Sequence, residues 1–262
     1  MNQARKTAAA ELAAGYTKTH ERLELFSVLA FLGLVAFTAA RLTPFVAGRG
    51  WLFTWAALLG LFGADFVSGF VHWAADTWGS PAWPLVGPAL IRPFRHHHVD
   101  PVEITRHGFL ETNGNNCLVS IPVIGVGAFL PFHGGEPARL AASAFLLSLT
   151  LWVFGTNQFH KWAHDAGRPG WVRWLQKTGL ILGVEHHNLH HRAPYTRYYC
   201  ITNGWMNWLL QVTRFFRVLE WAITWTTGAI PRQDDLAITG ARESDDPDLA
   251  KKPELQRRPA DA

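Results

Sequence analysis

The chain has 262 residues, enough for one sizeable domain or two small ones. Hydrophobic residues make up 48% and charged residues only 17%, against about 25% in soluble chains, and 13 Trp and 17 Phe add to the apolar excess. A formal charge of +4 does not suggest nucleic acid as a partner, and the two cysteines, Cys117 and Cys200, can build neither a disulfide framework nor a CxxC metal site.

Residues 1–22 are polar and of mixed charge, without the short apolar stretch and small-residue cleavage site of a secretory signal. Residues 23–42 are almost uncharged and read as a spanning helix near the lower length limit. After the break TPFVAGRG, residues 51–73 form a second span with aromatic residues at both ends. Residues 79–116, punctuated by Gly, Pro and Asn, read as an ordered loop region with short helices. Residues 117–132 contain Pro122 and two glycines, and are either a short span or a re-entrant segment. Residues 140–159 are the last span. From 161 to 231, Trp, Arg and Leu recur at helical spacing, as in amphipathic helices lying on a membrane surface. Residues 232–262 are charged and proline-punctuated, and are expected to be a disordered tail. The expected fold is an all-α integral membrane protein with about four transmembrane helices, its membrane domain occupying residues 23–231.

Arg5, Lys6, Lys18 and Arg22 flank the first span while the next loop has only Arg49, which places the N-terminus in the cytoplasm. Four crossings then bring His72, the 96–107 group, His160, His164 and the 186–191 group to that face, with both termini. Only His133 lands opposite.

The 13 histidines are the one abundant metal-ligand type. Residues four apart on a helix sit about 40° from one another. In VEHHNLHHRAP, His186 and His190 therefore share a face, as do His187 and His191. HKWAH aligns His160 with His164, and DFVSGFVHWAAD aligns Asp65, His72 and Asp76. Asp65 is expected either to orient a ligating histidine from behind or to bond a neighbouring helix. The isolated His20 and His133 read as ordinary polar residues. Imidazole suits Zn, Cu, Fe and Ni alike. About ten convergent imidazoles exceed any single zinc site, however, and would supply two metals with four or five donors each. A histidine-rich iron pair at a membrane face points to oxygen activation on a lipid chain. The rival readings are a membrane haem protein with paired axial histidines and a metal transporter. Adjacent histidine pairs disfavour the first, and histidines at span ends rather than within a span disfavour the second.

Several stretches carry a resemblance: DFVSGFVHWAADTWGS (65–80), IRPFRHHHVDPVEITRHGFLETNGNNCLV (91–119), TNQFHKWAH (156–164), EHHNLHHRAPYTRYYCITNGWMNW (185–208) and, more weakly, TGAIPRQDD (227–235). In these the chain resembles the lipid desaturase family, in particular its branch of plasmanylethanolamine desaturases. The resemblance implies a membrane di-iron enzyme that uses O2 and two electrons from an external donor of ferredoxin or cytochrome b5 type. Its phospholipid substrate would be 1-O-alkyl-2-acyl-glycerophosphoethanolamine, desaturated at C1–C2 of the alkyl chain to give a plasmalogen. A fatty-acyl desaturase or hydroxylase on the same scaffold is the alternative. The family's metal ligands fall on His72, His97, His98, His107, His160, His164, His186, His187, His190 and His191. His96 stands where the family usually has an acidic residue. Together with Asp65, Asp76, Asp100, Asn113 and Asn116, it is a candidate for supporting the ligands from behind. Arg92, Arg95 and Arg192 are candidate phosphate contacts, a planar guanidinium being suited to that group. The membrane would be the inner membrane of a bacterium or the endoplasmic reticulum of a eukaryote. An alkyl chain offers nothing to hydrogen-bond, so an apolar tunnel is expected to position it.

Overall fold

The computed structural model describes residues 17–232, apart from 85, 88–90, 133 and 193 and the side chains of 96 and 99. The expected tail, all but Arg232, lies outside the described residues, as do His133, the His96 side chain and most of the N-terminal segment. Among the described residues there is no strand. The long helices are α1 (Lys18–Leu42), α2 (Gly50–Thr77), α4 (Phe109–Phe129) and α5 (Pro137–His164). The short ones are α3 (Arg92–Val99), α6 (Gly170–Lys177), α7 (Val184–Asn188), α8 (Trp205–Val212) and α9 (Phe215–Thr227).

Three segments, Lys18–Phe45, Gly50–Thr77 and Pro137–His164, are long and apolar enough to cross a membrane. α4 falls outside that group because its first turns carry Glu111, Asn113, Asn115 and Asn116. It is nevertheless one continuous helix. Running parallel to α1, it sets Gly114 against Glu24 at one end, while Arg41 donates to the carbonyls of Ala128 and Leu130 at the other. It also starts eight residues before the apolar run. Its polar turns are tied to α5 in both directions: Asn116 Nδ2 of α4 donates to the Val153 carbonyl at 2.8 Å, and Asn157 Nδ2 of α5 donates to the Thr112 carbonyl at 3.0 Å. In an apolar medium such bonds hold helices together where burial alone gives little. α2 and α5 approach closely at Gly60, where an added Cβ would lie 2.5 Å from that of Ser148.

One end of this bundle gathers the C-termini of α2 and α5 and the N-termini of α1 and α4. The short helices pack there, with Trp171, Trp174, Trp208, Trp221 and Trp225 exposed on α6, α8 and α9. That is the pattern of amphipathic helices resting on a membrane surface. Trp73, Tyr199, Cys200, Leu210 and Phe216 form the core beneath α8 and α9.

Asp65 anchors the segment between α7 and α8. Its Oδ1 accepts the backbone N–H groups of Thr202, Asn203 and Gly204 at 3.2, 3.0 and 2.9 Å, and Oδ2 accepts that of Met206 at 2.9 Å. Of the two expectations for Asp65 the geometry matches the bond to a neighbouring helix: the carboxylate takes the turn before α8 and, through Met206, the first turn of α8 itself, and accepts from no histidine. Asp65→Leu leaves four buried donors without an acceptor, each costing about 1–3 kcal/mol. The exposed Asp100–Arg106 pair, 2.7 Å apart, is of a kind that contributes about 0–1 kcal/mol. Thermal unfolding in detergent should therefore show a large fall in midpoint for Asp65→Leu and almost none for Asp100→Ala. Equal shifts would contradict this assignment.

Candidate metal centre

Two sets of donors converge at that end of the bundle. The first is His97 from α3, His160 and His164 from α5, His187 from α7, and His191 beyond it. The second is His72 and Asp76 from α2, His98 from α3, and His190. Within each set the ligand atoms all lie within 4.8 Å of one another. The sets abut: the ring centroids of His190 and His191 are 5.4 Å apart, and those of His72 and His160 6.2 Å.

In the first set Nε2 meets Nε2. His160 lies 2.9 Å from His97 and from His187, His191 lies 2.9 Å from His187 and from His97, and His187 lies 2.8 Å from His164. A neutral imidazole carries one N–H, so these contacts cannot all be hydrogen bonds. His187 Nε2 alone faces three other nitrogens. Lone pairs are aimed at one point, and only a cation there satisfies them all. A tetrahedral ion with bonds of about 2.0–2.1 Å would hold its donors about 3.3 Å apart. Several pairs, at 2.8–2.9 Å, are closer than that. Five nitrogens already exceed the four ligands of a closed zinc site.

In the second set Asp76 Oδ2 lies 3.2, 3.5 and 3.6 Å from Nε2 of His72, His98 and His190, and the last two nitrogens are 3.0 Å apart. The far side of two of these rings is fixed. His72 Nδ1 donates to the Tyr199 carbonyl at 3.0 Å, and His190 Nδ1 donates to the Arg197 carbonyl at 2.9 Å. Such bonds place the proton on Nδ1 and leave the Nε2 lone pair free for a metal. The loop presenting those carbonyls takes positive φ at Tyr195 (64°) and Tyr198 (60°), a conformation rare for side-chain-bearing residues. Burial and the neighbouring imidazoles push His97, His187 and His191 well below the ordinary histidine range, and burial takes His190 down to about 3. These donors are neutral at physiological pH, the state in which an imidazole can bind a metal.

The lipid desaturase domain family matches residues 61–234, about two-thirds of the chain. The chain belongs to the lipid desaturase family. A plasmanylethanolamine desaturase of Myxococcus xanthus is 50% identical over 88% of this chain and 82% of its own length. Plasmanylethanolamine desaturase 1 of Mus musculus is 43% identical over 89% and 88%. The chloroplastic fatty acid desaturase 4 of Arabidopsis thaliana is 34% identical over 64% and 51%. No solved structure matches the chain.

The structure of this lipid desaturase gathers eight of the ten histidines expected as ligands and sets two apart. His107 lies 3.6 Å from Glu103 and from Glu111 on a half-exposed surface. His186 meets Asn207, because α7 ends at Asn188 and a four-residue spacing no longer brings His186 and His190 to one face. Asp76 moves the other way, from behind the ligands into the donor set. Asp100 pairs with Arg106, Asn113 donates to the Phe109 carbonyl at 3.0 Å, and Asn116 bonds α5; none of the three backs a histidine in either set. Arg92 is half-buried, Arg192 exposed, and Arg95 buried.

Sequence reasoning missed Arg197 and Tyr199, which act through backbone carbonyls, and Phe94, whose ring packs 4.9 Å from His72. Only the aromatic run YTRYYC beside the histidines hinted at the first two, and Phe94 is set apart only by its place next to His97 and His98. The expected apolar tunnel is not the groove found here. An apolar groove of about 740 Å³ runs along α5, lined by residues including Leu151, Gln158 and Trp162. His160 and His164 project from the opposite side of α5, about half a turn away.

Proposed function

We propose that this lipid desaturase is a plasmanylethanolamine desaturase. It forms the vinyl-ether double bond of plasmalogens at C1–C2 of the alkyl chain in 1-O-alkyl-2-acyl-glycerophosphoethanolamine. The observation that carries this reading is the pair of abutting donor sets, five imidazoles beside three imidazoles and a carboxylate. Two relatives of that name, aligned with nearly the whole chain, support the ether-lipid substrate.

When bound, two iron ions would supply the reduction of O2 and the removal of two hydrogens, with two electrons from an external ferredoxin- or cytochrome b5-type donor. The chain's own residues do the rest. The eight histidines keep neutral lone pairs directed at two points, and Asp76 adds a negative charge to one of them, so the sets are not equivalent. Phe94, against His72, and Tyr195, stacked on His98 with centroids 5.1 Å apart, present aromatic faces beside the donors. Those faces suit an alkyl chain and keep water from the reacting carbons. Arg92 and Arg192 are the accessible arginines suited to the phosphate, since Arg95 is buried at 7%.

Cells that make alkyl-ether phospholipids but no plasmalogens should gain acid-labile vinyl ethers on expressing this chain. His160→Ala should lower the yield to below about one-hundredth, because losing a ligand exceeds the 10–100-fold effects of supporting residues. Arg192→Ala should lower it less than about tenfold. Desaturated acyl chains without vinyl ethers would reject the ether-lipid reading in favour of the fatty-acyl one.

We further infer four crossings, with both termini and both donor sets at the cytoplasmic face. Support comes from α4 running the depth of the bundle and from the positive charge before the first span. A membrane-impermeant thiol reagent applied to intact cells should label Ala47→Cys and not Gly170→Cys. The reverse pattern overturns the topology.

A further inference from the structure

His186 opens the histidine cluster HHNLHH of the sequence, yet it belongs to neither donor set. Its Nε2 lies 2.9 Å from Asn207 Nδ2. The orientation of that amide is unambiguous: Asn207 Oδ1 accepts the Cys200 backbone N–H at 2.8 Å, and a backbone N–H can only donate. Asn207 Nδ2 donates its second hydrogen to the Cys200 carbonyl at 2.9 Å. His186 Nε2 is therefore an acceptor, and the amide is fully used.

The peptide group that holds the Cys200 N–H also holds the Tyr199 carbonyl, the acceptor of His72 Nδ1–H at 3.0 Å. One rigid peptide plane thus has Asn207 on one edge and His72 on the other. Chains of this kind polarise each member, so the imidazole at one end influences the basicity and tilt of the imidazole at the other. The His186 ring also has a built seat. Gly204 holds φ at +82°, and a Cβ there would lie 2.5 Å from His186 Nε2, while the Tyr198 ring meets the imidazole edge-on at 5.4 Å.

We propose that His186 is a positioning residue that binds no metal and orients His72, through Asn207 and the Tyr199–Cys200 peptide, toward the set formed with Asp76, His98 and His190. This rests on the reading that both sets hold iron. Outer partners of metal-ligating histidines change metal affinity or activity about 10–100-fold when removed.

The test uses full-length protein loaded with 57Fe and examined by Mössbauer spectroscopy, with iron counted per chain. His186→Ala should keep the wild-type iron content and alter the signal of one iron only, with vinyl-ether formation reduced about 10–100-fold. His186→Gln, whose Oε1 can accept from Asn207, should restore the wild-type signal. Asn207→Leu should reproduce the His186→Ala spectrum. Loss of one iron in His186→Ala would make His186 a ligand, and an unchanged spectrum would show that the chain carries no influence; either result overturns the proposal. Wild-type protein without two irons would instead contradict the underlying metal reading, so the two failures are distinguishable.

Discussion

Nitrogen lone pairs held 2.8–3.0 Å apart, with too few protons to share, are the constraint on which the rest of this structure depends. Burying so many imidazoles face to face is unfavourable unless a cation joins them. Every surrounding feature holds that arrangement in place. Donors come from α2, α3, α5 and the α7 segment, so no single element builds either set. The adjacent histidine pairs acquire a physical meaning here. His97 serves one set and His98 the other, and His191 and His190 divide in the same way. On α3 neighbouring residues diverge by about 100°, so His97 and His98 straddle two centres, and the turn that follows α7 separates His190 from His191 in the same way.

The membrane-spanning part does little chemistry and much positioning. Its helices bring all donors to one end of the bundle, and its few polar contacts are spent on register: Asn116 and Asn157 between α4 and α5, and Ser148 Oγ donating to the Ala57 carbonyl at 2.9 Å between α5 and α2. Asp65 has a different task. A carboxylate within an apolar helix is costly, and here four backbone N–H groups offset that cost. They belong to the turn just after Tyr199 and to the start of α8, so the same carboxylate steadies the loop that fixes the tautomers of His72 and His190. The loop in turn accepts strained backbone at Tyr195 and Tyr198 to aim its carbonyls.

Much of this was legible in the sequence. The all-helical class followed from apolar runs, and the convergence of His72, His160, His164, His187 and His191 followed from helical spacing at span ends. What stayed hidden has physical causes. Spacing assumes an unbroken helix, and α7 stops at Asn188, so the pairing of His186 with His190 fails although that of His187 with His191 survives. Asp65 and Asp76 share a face of α2 and gave the same signal, yet one meets a turn and the other meets imidazoles. That difference lies in what packs opposite, which no local pattern encodes. The start of α4 was obscured because Asn113, Asn115 and Asn116 read as loop residues, whereas Asn116 finds its partner on a helix 37 residues away. Backbone carbonyls such as those of Arg197 and Tyr199 carry no side-chain signature at all.

The central claim is that the two donor sets hold two irons of one enzyme. Elemental analysis of protein purified in mild detergent without added metal tests it most directly. The account predicts about two irons per chain and little zinc. One zinc per chain with no iron would contradict it.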